Sequence, residues 1–123
     1  MGEQGKKEQE QITQLAKEHN IRVLGPNCLG LFNVSKCMYT TFSTILEEEE
    51  PFTTVELVLL VKAGHLDHMF FTLARQHHIG FSYFVATGNE SDVDVADCIK
   101  YLAQDEKTTV IACYIEGVKD GKN

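Results

Sequence analysis

The spacing of apolar residues divides the chain into three stretches. Over Glu3 to His19, Ile12, Leu15 and Ala16 recur at the spacing of one helical face and the other positions are charged or amide-bearing, so a helix is expected there. Asn20 is placed to stop it, and Ile21 to Leu24 is a short β-type run closed by Gly25-Pro26. From Asn27 to Thr54 no period holds. Small and turn-forming residues, with the acidic run Glu47 to Glu50 ahead of Pro51, read as a solvated loop. After Thr54 the pattern becomes an alternation of strands and helices. Val55 to Val61 reads as a buried strand, Phe81 to Ala86 as a second and Thr109 to Ile115 as a third. Between them lie a helix over Gly64 to His78, with Leu66, Met69, Phe70, Leu73 and Ala74 inward, and one over Asp92 to Ala103, with Val95, Ile99 and Leu102 inward. Strands joined by helices of this length predict an α/β fold with a parallel sheet, flanking helices and right-handed crossovers.

Size and charge narrow the functions open to such a fold. A chain of 123 residues is enough for one compact domain with a real core. Its formal charge of −7 argues against a broad nucleic-acid-binding face, because a phosphate backbone would be repelled overall. The longest apolar run, Leu57 to Val61, is far too short to cross a bilayer, so no membrane role is expected. The first residues are polar and charged, unlike a signal peptide. The four cysteines, Cys28, Cys37, Cys98 and Cys113, form no CxxC pair and read as reduced thiols, which predicts a cytoplasmic protein. No metal site is expected: His65 and His68 sit three apart on a helix but lack an evident third ligand. His77 and His78 suit the carbonyl end of that helix.

Three segments carry the candidate chemistry, and each directly follows a strand. Gly25-Pro26-Asn27-Cys28-Leu29-Gly30 is a tight turn, whose two glycines allow backbone N–H groups to face outward. Taken alone, an ordinary turn is the better explanation of it. Lys62-Ala63-Gly64-His65 opens a helix, where unpaired N–H groups suit a phosphate and Lys62 adds charge. Thr87-Gly88-Asn89-Glu90-Ser91-Asp92 contains turn formers and, in Ser91 or Asp92, a cap for the next helix. Glu116 follows the third strand. Ligands of open α/β sheets bind beyond the carboxyl ends of the strands, so these loops together mark one candidate rim.

The same segments carry a resemblance. Leu24-Gly25-Pro26-Asn27-Cys28-Leu29-Gly30-Leu31-Phe32-Asn33 resembles the GPNCxGxxN segment of the succinyl-CoA synthetase α-subunit superfamily, the NDP-forming acyl-CoA synthetases. Gly80 to Glu90, Asp94 to Asp97, Tyr101 to Asp105, Val110-Ile111 and Tyr114 to Gly117 are similar to successive stretches of the ADP-forming acetyl-CoA synthetases. The resemblance implies that residues 1–33 close a Rossmann-like CoA-binding domain with its terminal helix and strand. Residues 34–54 would be a linker loop, and 55–123 the N-terminal part of a flavodoxin-like CoA-ligase domain. In that order the strand at 55–61 is central, with 81–86 on one side and 109–115 on the other.

The family's reaction converts acyl-CoA, ADP and phosphate into acid, CoA and ATP through an acyl phosphate and a phosphohistidine. Carried over residue by residue, Asn27, Cys28 and Gly30 match the turn near the CoA thiol end. Ala63, Gly64 and His65 match the phosphate turn at a helix N-terminus. There the family has Ser-x-Ser-Gly, of which this sequence keeps Gly64 and replaces the serines. Gly88, Asn89 and Glu90 form the rim loop. Glu116 matches the acidic residue that orients the phosphohistidine, and none of the five histidines occupies that catalytic place. The expectation is therefore part of an NDP-forming acyl-CoA synthetase that is inactive alone, with CoA and ADP/ATP as the parent family's ligands. The alternative is a non-catalytic module that binds CoA or phosphate or docks on a subunit. The apolar edge strand Val110 to Ile115 further predicts a homodimer, or complementary domains or a subunit that cover it.

Overall fold

The computed structural model describes residues 2–41, 56–62 and 67–117. In chain order its elements are α1 (Glu3–Glu18), β1 (Gly30–Asn33), β2 (Met38–Thr41), β3 (Leu57–Lys62), α2 (Asp67–Gln76), β4 (Tyr83–Ala86), α3 (Val95–Leu102) and β5 (Val110–Ile115). The five strands form one sheet in the order β2-β1-β4-β3-β5. β3 is parallel to both β4 and β5, as the crossover helices require, and lies between them. β1 runs antiparallel to β4 and to β2, so the sheet is mixed.

The α/β architecture agrees with the sequence pattern, and four local readings are corrected. The loop expected across 27–54 contains a hairpin, β1 and β2. Both strands are four residues long and β2 is exposed at three of its four positions, so no amphipathic period marks them. Ile21–Leu24 forms no strand. The Val23 N–H that a ladder would use donates instead to the Asp92 carboxylate, at 2.8 Å. The cap of α3 is Asp94, whose carboxylate accepts the Asp97 N–H at 2.8 Å, rather than Ser91 or Asp92. Finally, α2 turns Phe71 and Ala74 inward, while Met69 and Leu73 are about half exposed, at 49% and 45%. On α3, Leu102 is buried and Ile99 is partly covered, at 37% exposed. The residues expected to open α2, 63–66, and the acidic run 47–50 lie outside the described residues.

Both described helix ends near a polar tail use the same device. After α1, Asn20 takes φ 55° and the Ile21 N–H reaches the Ala16 carbonyl at 2.8 Å; after α2, His78 takes φ 55° and the Ile79 N–H reaches the Ala74 carbonyl at 2.8 Å. This left-handed closure satisfies carbonyls that a helix end leaves open. It also gives His77 and His78 a structural place at the end of α2.

The core forms where α2 covers one face of the sheet. Phe32 of β1, Phe84 of β4, Phe71 of α2 and Phe81 pack together with Leu59, Val61, Ala74 and Ala86. The Phe84 ring lies 5.2 Å from Phe32 and 4.9 Å from Phe71, a spacing at which aromatic pairs attract beyond their buried area. Val58 and Leu60, on the other face of β3, are fully buried too. That double burial explains why β3 reads as a continuous apolar run.

Candidate functional site

Parallel pairing puts the carboxyl ends of β3, β4 and β5 on one rim. There the Thr87 N–H donates to the Val61 carbonyl at 3.0 Å and the Glu116 N–H to the Lys62 carbonyl at 3.3 Å, so the chain leaving β4 and β5 stays tied to the end of β3. Because β1 is antiparallel to β4, its first residue also lies at this end, and the Gly25–Leu29 turn leads directly into it.

The turn and the loop after β4 are joined by backbone contacts. The N–H groups of Asn89, Ser91 and Val93 donate to the carbonyls of Pro26, Gly25 and Val23 at 2.8, 2.8 and 3.1 Å. Asn27 and Glu90 both adopt left-handed conformations, at φ 55° and 54°, which non-glycine residues seldom take. Between them, Gly88 takes φ +58° and lies so close that an added Cβ would stand 2.4 Å from the Pro26 oxygen and 2.7 Å from the Asn27 oxygen. Only a residue without a side chain fits there.

Side chains complete the junction. Asn27 Nδ2 donates to Asn89 Oδ1 at 3.3 Å, and Asn89 Nδ2 donates to Gln9 Oε1 of α1 at 2.9 Å. Glu90 is buried, with Oε1 accepting from Thr87 Oγ1 at 3.1 Å and the Val95 N–H at 3.2 Å, and with Oε2 2.5 Å from Lys62 Nζ. Farther out, Arg22 Nε lies 2.9 Å from Asp92 Oδ2, and Arg22 Nη2 reaches Asp97. The Arg22 guanidinium and then the Val23 N–H hold the Asp92 carboxyl below the usual carboxylate range. Glu116 is exposed and accepts from the Tyr114 hydroxyl at 3.3 Å.

The structure thus brings together Asn27, Gly88, Asn89 and Glu90, and sets Lys62 and the start of Glu116 beside them. Gly30 instead lies in β1 against the Thr40 backbone, where an added Cβ would meet the Thr40 oxygen. Cys28 is half-buried, with Sγ 3.7 Å from the Leu24 carbonyl oxygen. Ala63, Gly64 and His65 lie outside the described residues, as does the side chain of His68. Among the described residues no three His, Cys, Asp or Glu side chains are grouped as metal ligands, and no helix is long and apolar enough to cross a membrane. Burial, and next the neighbouring Asp97, push the Cys98 thiol up to about 11, which leaves it a poor nucleophile near neutrality. Sequence reasoning missed the Lys62–Glu90 pair, the Gln9–Asn89 bond and the Arg22–Asp92 pair. All three join distant segments, and no local pattern signals them.

Known proteins share this fold. Residues 56–123 match the model of the succinyl-CoA ligase like flavodoxin domain. The chain is 34% identical, over 98% of its length, to the ADP-forming acetate–CoA ligase II subunit alpha of Pyrococcus furiosus, and spans 25% of that relative. It is 32% identical, again over 98% of its length, to the ADP-forming 4-hydroxybutyrate–CoA ligase of Nitrosopumilus maritimus, and spans 17% of it. A solved protein of Pyrococcus horikoshii superposes on 98% of the chain with a TM-score of 0.87 and 35% identity, the match covering 26% of that protein. The dinucleotide forming acetyl-coenzyme A synthetase 1 of Candidatus Korarchaeum cryptofilum, solved in complex with phosphate and ADP, superposes on 92% with a TM-score of 0.80 and 26% identity, the match covering 23%. The chain therefore spans about a quarter or less of these relatives, and it belongs to the succinyl-CoA ligase-like flavodoxin domain family, within the NDP-forming acyl-CoA synthetases.

Proposed function

We propose that the chain supplies the strand-end rim of an NDP-forming acyl-CoA synthetase, in which acyl-CoA, ADP and phosphate yield acid, CoA and ATP, and that it does not complete this reaction by itself. The observation that carries the reading is the junction of the Asn27–Cys28 turn with Gly88–Glu90 at the carboxyl ends of parallel strands. This is the place where α/β sheets receive ligands. In this reading the Asn27–Cys28 turn faces the thiol end of CoA, the turn at 63–65 faces phosphate, and Glu116 orients a histidine that another part of the enzyme contributes.

Residues 1–33 then close a CoA-binding domain, 34–54 link it and 55–123 open the ligase domain, although the pairing of β1 with β4 carries the sheet across that division. A cytoplasmic setting goes with four free thiols. Among the described residues β5 is paired on one side only, and its Val110 and Ile115 are 54% and 41% exposed, which supports a second copy paired along this edge. Light scattering at micromolar concentration checks that assembly, and a monomer speaks against it.

Calorimetry with CoA, phosphate and ADP tests the ligand reading. Turnover of acetyl-CoA, ADP and phosphate tests the rest. The expected result is CoA uptake without ATP formation. ATP above a heat-killed control overturns the claim of incompleteness, and absence of CoA binding at millimolar concentration overturns the assignment of the rim.

A further inference from the structure

Burying an ion pair is seldom the most stabilising use of two positions, because each charge gives up its hydration and apolar side chains of the same size often do better. Holding a non-glycine residue in a left-handed conformation adds a further cost. The rim accepts both at one residue. Glu90 takes φ 54°, and its side chain is only 4% exposed, against 13% for Lys62. One carboxylate oxygen meets Lys62 Nζ, and the other accepts from Thr87 Oγ1 and the Val95 N–H. Lys62 is the last residue of β3, so the pair fastens the end of that strand to the loop that follows β4. That loop has a second partner. The residues flanking Glu90, Asn89 and Ser91, donate their backbone N–H groups to Pro26 and Gly25. Glu90 is thus the point at which the end of β3 and the Asn27–Cys28 turn are mechanically joined.

We infer that Lys62 is a positioning residue for the rim: its ion pair with Glu90 holds the loop 87–91, and through it the Asn27–Cys28 turn, in the shape that receives the thiol end of CoA. The inference rests on the proposed assignment of that turn to CoA. It contrasts with the simpler idea that Lys62 is a free cation waiting for a ligand phosphate. The two ideas predict opposite results at Glu90. If Lys62 serves the ligand directly, neutralising Glu90 releases the ammonium and tightens anion binding. If Lys62 acts through Glu90, neutralising either partner loosens the turn.

Four variants of the full chain separate them: Lys62→Met, Glu90→Gln, the two combined, and Lys62→Arg, which keeps the charge. Two measurements are made on each, CoA affinity by calorimetry and amide hydrogen exchange by NMR. Each neutralising single variant is expected to weaken CoA binding on the order of tenfold, and the combined variant to be no worse than the weaker single one, since both break the same link. Lys62→Arg should stay within about twofold of the unmutated chain. Exchange at the Asn89 and Ser91 amides should quicken in the neutralising variants while the amide of Phe84, in the core, stays protected. Tighter CoA or phosphate binding by Glu90→Gln, or unchanged exchange at Asn89 and Ser91 in Lys62→Met, overturns the inference. If the unmutated chain takes up no CoA, the assignment of the rim falls, and the amide exchange alone decides whether the Lys62–Glu90 link holds the turn. A variant that unfolds loses protection at Phe84 as well, and the conservative Lys62→Arg and Glu90→Gln variants then carry the comparison.

Discussion

The sheet and the N-terminal arm are held by different physics. The sheet is fastened by apolar packing: Phe32, Phe71 and Phe84 are at most 1% exposed and touch one another through their rings. The arm, α1 with the extended segment to Gly25, has Ala16 as its one buried residue in the helix, while Ile12, Leu15 and Ile21 are more than half exposed, at 52%, 58% and 59%. What attaches it is polar. The contacts are the Gln9–Asn89 bond, the Arg22–Asp92 pair and backbone donors from Asn89, Ser91 and Val93. Apolar burial is non-directional and sums over a whole face, whereas these bonds are few and directional. The core should therefore fail as a unit, and the arm should be able to detach with the core intact.

The sharpest way to break the comparison is to remove a ring from the core. Phe84→Ala deletes a side chain that is 1% exposed and packed on both Phe32 and Phe71. The expected loss is ~3–5 kcal/mol in urea denaturation, a large share of a typical stability of about 5–15 kcal/mol. Arm and rim should be lost in the same transition, because both stand on the sheet. A loss below about 1 kcal/mol would show that this aromatic cluster is not what holds the sheet.

A smaller effect is expected where arm and rim meet. Gly88→Ala introduces a Cβ 2.4 Å from the Pro26 oxygen at φ +58°, so the turn must move away from the loop. The cost is expected to be roughly 1–3 kcal/mol. Its signature is local: chemical shifts of Asn27, Cys28 and Asn89 move, while those of Phe71 and Phe84 do not. Shifts spread through the core would mean that the junction and the sheet are one cooperative unit.

How much of this was legible in the sequence follows the same division. β3, α2, β4, α3 and β5 announce themselves because continuous apolar runs and helical spacing are the local trace of burial on a sheet. The hairpin was not legible. Gly30–Asn33 and Met38–Thr41 are too short for a period, and β1 gets its partner from β4, far along the chain. The segment Ile21–Leu24 misled for the opposite reason. It has strand-like composition, but its amide at Val23 is taken by Asp92. At the rim, the turn residues Gly25, Asn27 and Gly88 were legible as turns, because left-handed conformations favour Gly and Asn. Glu90 in that conformation was not, since its reason is a lysine on another strand.

The gentlest test of the comparison is acid. The Asp92 carboxyl, ordinarily at 3.8, is held lower in the folded chain by the Arg22 guanidinium and the Val23 N–H. The folded state thus binds fewer protons than the detached state, and the linkage favours the attached arm above 3.8. As the pH falls through 3.8 and on through the lower folded value, Asp92 takes up a proton and that contribution disappears. Arg22 is 68% exposed, so water screens the pair, and its effect on overall stability is small and weakens further in salt. It should nevertheless be visible locally. In an NMR titration from about pH 6 to about pH 2, the Arg22 Nε–H and Val23 N–H resonances should move together with a midpoint below 3.8, while Phe84 keeps its position. In Asp92→Asn the Val23 N–H should lose that titration and show at neutral pH the faster exchange that the unmutated chain reaches only in acid. A Val23 amide that stays protected throughout the titration would mean that the backbone bonds to Asn89, Ser91 and Val93 hold the arm without help. Loss of the Phe84 signals at the same midpoint would mean that the arm and the aromatic core come apart together.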